Sequence, residues 1–140
     1  MDMTNLYRHI IMDHYKNPRH KGLKGYKQNH LRNPSCGDDI TIEANIEDKV
    51  LKEINHEGTG CSICCSSASI MSELLTGKSV EEAKAIIEDY YHLIKGEPLV
   101  NEDILEDALA YQGVSQFPAR IKCATISWKA LEELIGENIE

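Results

Sequence analysis

Hydrophobic positions recur with a helical period in several parts of this 140-residue chain. A first helix is predicted from Thr4 to Lys16, where apolar residues form one stripe and Asn17-Pro18 ends the pattern. A second apolar stripe runs from the cysteine-rich stretch GTGCSICCSSAS to Gly77, a residue suited to a helix end. A third helix is predicted to begin at Ser79, because Ser79 and Glu82 have the spacing of a capping box.

Two more helices are predicted in the last third of the chain. The first is short and covers Asp103 to Ala110. The last begins at Pro118, which suits a first helical turn, and ends before Gly136. Its apolar stripe consists of Ile121, Ala124, Trp128, Leu131 and Ile135.

Between the first two helices the period changes from helical to alternating. Residues 39–47 place apolar side chains at every second position, which indicates a half-buried strand. Asp48-Lys49 can turn the chain into a second strand from Val50 to about His56. Such a hairpin needs a further strand or a packed helix to be stable, and the pattern does not place that strand. Pro18 to Cys36 lacks periodicity and is predicted to be a loop.

These elements predict an α+β fold, in which a small antiparallel sheet packs against several helices. With 41% hydrophobic residues, we expect a single domain over residues 1–140. A net charge of −8 argues against nucleic acid as a partner. No run is long enough to span a membrane, and no signal peptide is recognisable, so we expect a cytoplasmic protein with reduced thiols. Five cysteines, an odd number, then favour metal binding or thiol chemistry over a disulfide framework.

Three cysteines occupy positions from which metal binding is possible. Cys36 precedes the first predicted strand, with Asp38 two positions later and the flexible Gly37 between them. Cys61 lies at the start of a helix and Cys123 in the first turns of the last one, where unpaired N–H groups favour thiolates. Three thiolates and one carboxylate would form a tetrahedral set suited to zinc. The spacing leaves open the alternative that each cysteine is a small buried hydrophobic residue.

The motifs NPSCGDDI, GTGCSI with SSASIMSELLTGKS, and FPARIKCATISWKALEEL resemble the three cysteine motifs of the IscU/NifU-like family of iron–sulfur cluster assembly proteins. The resemblance covers nearly the whole chain and is specific to the SufU branch. It implies an IscU/SufE-like fold. It also implies that Cys36, Asp38, Cys61 and Cys123 converge at one exposed end to bind a metal.

Two departures from the IscU scaffolds favour the SufU branch. IscU scaffolds carry a histidine directly before the third cysteine, whereas this chain has Lys122, which cannot bind a metal at neutral pH unless its pKa falls far. The helical stretch between Cys61 and Cys123 also resembles the SufU insertion. The resemblance therefore implies a zinc-dependent sulfurtransferase that receives sulfur from a SufS-type cysteine desulfurase and passes it to downstream iron–sulfur assembly components.

Two other functions stay open at this point. The same thiolates could carry a transient iron–sulfur cluster, which would make the protein a non-catalytic scaffold. Alternatively, the zinc site could be purely structural. The resemblance implies that Cys36 accepts the sulfur, and its loop setting suits a residue that must move. Arg120, one turn before Cys123, is a candidate for stabilising a thiolate or pairing with the partner, with an exposed salt bridge as the equal alternative.

Cys64 and Cys65 are not required by the resemblance. Cys61 and Cys64 form a C-x-x-C pair on one helix face, so Cys64 could be a redox partner, a substitute ligand or a sulfur relay. The absence of a thioredoxin-like context around the pair argues against the redox function. Cys65 is predicted to pack in the core.

Overall fold

The computed structural model describes residues 3–34 and 36–139, and a three-stranded antiparallel sheet with helices packed against it makes up the described part. The predicted α+β architecture is confirmed. In chain order the elements are α1 (Met3–Lys16), β1 (Lys27–Asn33), β2 (Asp38–Glu47), β3 (Val50–Thr59), α2 (Ser62–Leu75), α3 (Val80–Lys95), a 3-10 segment (Glu102–Gln116) and α4 (Pro118–Ile139).

The sheet has the order β1-β2-β3, so the predicted hairpin of β2 and β3 contains the central strand. Ile40, Ile42 and Ala44 alternate along β2 and are buried, as the pattern predicted. The connecting Asp48 and Lys49 both have positive φ (52° and 63°), the conformation of the two-residue turns that match strand twist. The hairpin is therefore defined by local sequence at both its strands and its turn.

The prediction of a loop from Pro18 to Cys36 is wrong in its second half, where β1 forms. This strand pairs with β2 over its whole length, from Lys27 opposite Ala44 to Asn33 opposite Asp38. It is an edge strand with the sequence KQNHLRN, and most of its residues are exposed or half-exposed. Polar edge strands lack hydrophobic alternation, and charged side chains there prevent pairing with other chains. β1 is the additional strand that the hairpin requires.

The first half of that loop is held against the sheet by a buried carboxylate, that of Glu43 on β2. It accepts hydrogen bonds from the backbone N–H groups of Lys24 (2.8 Å), Gly25 (3.0 Å) and Tyr26 (3.2 Å), and from Asn55 Nδ2 (2.7 Å). Burial alone would raise the pKa of Glu43, but the hydrogen bonds from Asn55 and the three N–H groups lower it below its usual value. Together with backbone hydrogen bonds between His56 on β3 and both His20 and Gly22, Glu43 holds this part of the chain on the sheet.

The helices match most of the predicted bounds. The capping box of α3 is present, with Glu82 N–H donating to Ser79 Oγ (3.1 Å) and Ser79 N–H donating to Glu82 Oε1 (3.2 Å). The predicted helix at Asp103–Ala110 lies inside the longer 3-10 segment. α4 continues past Gly136, so its predicted end is wrong, because a lone glycine weakens a helix without ending it. No helix among the described residues is long and apolar enough to cross a bilayer.

A pair of stacked aromatic rings joins α3 and α4, and hydrogen bonds link the pair to α2. Tyr90 and Trp128 are parallel with ring centroids 3.8 Å apart, and both are buried. Trp128 Nε1–H donates to Ser67 Oγ (2.9 Å), while the Ser67 and Tyr90 hydroxyls both donate to the Ala124 carbonyl (2.8 and 2.6 Å). Because Ala124 follows Cys123 directly, this network provides a rigid base for that cysteine.

Candidate metal centre

The four predicted ligands come from three separate parts of the fold that meet at one end. Cys36 lies on the turn between β1 and β2, Asp38 begins β2, Cys61 is the residue before α2, and Cys123 is in the second turn of α4. The ligand atoms of Cys36, Asp38 and Cys123 all lie within 4.8 Å of one another. The structure thus brings together side chains up to 87 positions apart in the sequence.

Cys61 adjoins this group without belonging to its closest set. Its backbone N–H donates to Asp38 Oδ1 (3.2 Å), and its thiol is close enough to Cys123 to affect the pKa of that residue. Cys61 is half-buried, whereas Cys36 is exposed and Cys123 is buried. Cys61 is therefore the fourth potential donor, next to the other three.

Asp38 is a buried carboxylate whose hydrogen-bond donors are neutral. Only 1% of it is exposed, and besides the Cys61 N–H it contacts Asn33 Nδ2 at 3.4 Å. Asn33 Nδ2 also lies 4.0 Å from Cys123 Sγ. A buried negative charge is costly unless a positive charge or strong hydrogen bonds compensate it. Asn33 is a site residue that was not predicted, although it belongs to the first cysteine motif.

Two glycines allow the start of α2 to approach β2 closely. A Cβ at Gly60 would lie 2.6 Å from Asp38 Oδ1 and 3.3 Å from Cys64 Cβ. At Gly58, where φ is +149°, a Cβ would collide with the carbonyl oxygen of Asp39. The Gly-Thr-Gly sequence before Cys61 is therefore required for the distance between Cys61 and Asp38.

The turn that carries Cys36 is held mainly by backbone contacts. The N–H groups of Cys36 and Gly37 donate to the Asn33 carbonyl (3.2 and 2.9 Å), and Gly37 has φ +71°. The Cys36 thiol makes a long contact of 3.8 Å with the carbonyl oxygen of Ala119 on α4. Cys36 therefore combines a defined backbone with an exposed, weakly held side chain.

The electrostatics of the group favour a bound cation. Burial raises the pKa of the Cys123 thiol, and the neighbouring Asp38, Cys36 and Cys61 raise it further. At Cys123, burial and the contacts with Asp38, Cys36 and Cys61 oppose the thiolate that the start of a helix was expected to favour. A positive ion would reverse this balance, and a donor set of three sulfurs and one oxygen suits zinc. The residues present therefore fit a zinc ion.

Of the adjacent cysteines 64 and 65, the one that packs in the core is Cys64, whereas the prediction placed Cys65 there. Cys64 is fully buried, and burial raises the pKa of its thiol. Cys65 is only half-buried, and its thiol lies 3.6 Å from the Gly60 carbonyl, so the prediction that it packs in the core is wrong. Adjacent helix residues point about 100° apart, and here Cys64 faces the core while Cys65 lies at its edge.

Arg120 is exposed on the first turn of α4 and lies at the same mouth as Cys61. Both residues line a cleft of about 540 Å³ whose apolar wall includes Ile63, Val114 and Phe117. Phe117 is 60% exposed, an unusual state for a phenylalanine. The cleft thus presents an apolar surface and a positive charge beside one of the candidate ligands.

Comparisons with known proteins relate most of the chain to one family. The model of the NifU-like N-terminal domain matches residues 6–124. The chain is 44% identical to the zinc-dependent sulfurtransferase SufU of Bacillus subtilis (strain 168), over 98% of this chain and 94% of that protein. It is 37% identical to the iron–sulfur cluster assembly scaffold protein IscU of Streptococcus pyogenes serotype M1, over 97% of this chain and 86% of that protein.

A solved structure of a related protein is similar to this one in both fold and sequence. The putative iron–sulfur cluster assembly scaffold protein for the SUF system from Fervidobacterium islandicum AW-1 is 29% identical, with a TM-score of 0.80, over 88% of this chain and 91% of that one. The resemblance stated from the sequence motifs is confirmed by these comparisons.

Proposed function

Because this chain belongs to the NifU-like N-terminal domain family, and thereby to iron–sulfur cluster assembly, we propose that it is a zinc-dependent sulfurtransferase. In this proposal the chain accepts persulfide sulfur from a SufS-type cysteine desulfurase and passes it to downstream assembly components. One observation carries the proposal: the exposed Cys36 thiol lies within 4.8 Å of two buried donors, Asp38 and Cys123. The two buried donors would hold a metal ion, and the exposed Cys36 thiol would be accessible to the persulfide of a partner protein.

Asp38, Cys61 and Cys123 would hold the zinc ion, with Cys36 as the fourth ligand. When bound, the ion would keep these thiols deprotonated at neutral pH and compensate the buried charge of Asp38. The protein contributes the arrangement around it. Asn33 and the Cys61 N–H orient the Asp38 carboxylate, and the network below Ala124 holds Cys123 in place.

Cys36 would act as the nucleophile. Its thiolate attacks the terminal sulfur of the desulfurase persulfide, so that a new S–S bond forms on Cys36 and the S–S bond of the donor breaks. The donor cysteine leaves as a thiolate with the bonding electron pair, and no external oxidant or reductant is required. Arg120, at the same mouth, would attract the anionic persulfide or pair with the partner. A cytoplasmic location, where thiols stay reduced, is part of the same proposal.

A sulfur-transfer assay with a SufS-type desulfurase and cysteine tests this role. In the wild-type protein, mass spectrometry of the intact chain should show one added sulfur atom, and peptide mapping should place it on Cys36. Cys36→Ser should lose the added sulfur. Cys65→Ser is the matched control, because its half-buried thiol lies outside the group of donors. Persulfide formation at another cysteine in the Cys36→Ser variant would contradict the assignment.

A scaffold function is the second candidate, since relatives with that name cover most of the chain. Metal analysis of anaerobically purified protein separates the two functions. Zinc without iron or acid-labile sulfide favours sulfur transfer. Iron with labile sulfide would favour the scaffold and make Cys64, beneath the site, a candidate ligand.

A further inference from the structure

A second group of potential metal ligands lies away from the cysteines. It consists of His14 on α1, Glu73 on α2 and Asp107 in the 3-10 segment, which place one ligand atom each within 4.8 Å of one another. Glu73 lies eleven positions beyond Ser62, the first residue of α2, which corresponds to about 17 Å along the helix. The group is therefore separate from the candidate metal centre described above.

The histidine of this group is held in the manner of a metal ligand. Only 2% of His14 is exposed, and its Nδ1 lies 2.7 Å from Ser69 Oγ. Ser69 Oγ also accepts a hydrogen bond from the Arg19 backbone N–H (2.8 Å), which fixes the hydroxyl. The other ring nitrogen, Nε2, points to Asp107 Oδ2 at 3.6 Å, beyond hydrogen-bonding distance. Metal-binding histidines have this arrangement, with one nitrogen anchored and the other directed at the ion.

The charges around His14 leave an excess of negative charge. Burial, the largest effect, and the Arg19 charge lower the pKa of His14 and so favour the neutral ring, while the charges of Glu73 and Asp107 act in the opposite direction. The Arg19 guanidinium is shared between Asp13 Oδ2 (2.7 Å) and Glu73 Oε2 (3.7 Å). One guanidinium therefore pairs with two carboxylates, those of Asp13 and Glu73, while Asp107 lies beside the His14 ring.

We propose that His14, Glu73 and Asp107 bind a divalent first-row transition-metal cation, such as Mn²⁺ or Fe²⁺, at a second site of this protein. One nitrogen and two carboxylate oxygens suit such ions, whereas soft ions prefer the thiolates. The Glu73 and Asp107 side chains are 50% and 53% exposed, so the ion can enter from solvent and keep water ligands. The bound ion would link α1 and the 3-10 segment to α2.

Titration with Mn²⁺ alone tests the site, with binding followed by the loss of the electron paramagnetic resonance signal of the free ion. Mn²⁺ prefers oxygen and nitrogen donors, so it does not compete well for the cysteines. We expect one Mn²⁺ per chain, with a spin-echo modulation from a directly bound imidazole nitrogen. Asp107→Asn and Glu73→Gln should each raise the Kd by at least about tenfold. Glu88→Gln is the matched control, because it removes an exposed carboxylate beside His92 on α3 and should leave the Kd unchanged.

His14→Gln should abolish both binding and the nitrogen modulation. Since replacing a buried histidine can also destabilise the fold, the half-exposed Asp107 provides the decisive variant. Three results would overturn the proposal: no binding at millimolar Mn²⁺, binding without nitrogen modulation, or an unchanged Kd in Asp107→Asn. Loss of Mn²⁺ binding in Cys36→Ser would also overturn it, because the ion would then be at the cysteines.

Discussion

Gly60→Ala is a sharp perturbation of the candidate metal centre, because the added methyl group would meet Asp38. The new Cβ would lie 2.6 Å from Asp38 Oδ1, roughly 1 Å inside a normal van der Waals contact. Cys64 Cβ, at 3.3 Å, limits movement of the methyl group away from the carboxylate. The Asp38 carboxylate must therefore shift and weaken its hydrogen bond from the Cys61 N–H.

Overpacking of this kind costs about 1–3 kcal/mol of unfolding free energy in the metal-free protein. If Asp38 is a ligand, its displacement should also weaken metal binding by about 10- to 100-fold, a further loss of about 1.4–2.8 kcal/mol in the zinc-loaded protein. The destabilisation caused by Gly60→Ala should thus be larger with zinc than without it.

Urea unfolding of both forms, together with a chelator competition, measures the two effects separately. Gly136→Ala is the matched control, since nothing lies within 4 Å of its new methyl group and it is inside α4. It should stabilise the protein by about 0.5–1 kcal/mol, equally with and without zinc. Equal destabilisation of the two forms by Gly60→Ala would refute the assignment of Asp38 as a ligand.

Three further predictions concern the core and the buried groups. Glu43→Gln should lower the unfolding free energy at pH 7 by about 1–3 kcal/mol. Because the pKa of Glu43 is lowered on folding, the stability that its carboxylate contributes is present at neutral pH and is lost as the pH falls through the folded pKa. The difference in unfolding free energy between wild type and variant should therefore be smaller at pH 4 than at pH 7 in urea unfolding. Trp128→Phe should lower the free energy of unfolding, measured by thermal unfolding, by about 1–3 kcal/mol, since the Ser67 hydroxyl loses its indole donor. Cys64→Ala should leave the zinc content unchanged, and a loss of zinc on elemental analysis would make Cys64 a ligand.

Local sequence determined those elements whose signals lie within the elements themselves. The capping box at Ser79 and Glu82 begins α3, and the alternation in β2 together with Asp48-Lys49 defines the hairpin. These features depend on backbone hydrogen bonds and periodicity over a few residues, so a short window contains the information. β1 could not be predicted in this way, because its polar edge sequence forms a strand only when β2 supplies the hydrogen-bonding partners.

The sequence by itself also determined the chemistry available at the site, since Cys36, Asp38, Cys61 and Cys123 supply the donors whatever their arrangement. Only the tertiary structure decided that Asp38 and Cys123 are buried while Cys36 is exposed. It also decided which of the two adjacent cysteines faces the core and brought His14, Glu73 and Asp107 together. Burial and distance depend on how helices and strands pack, and residues far apart in the chain carry no local signal of that packing.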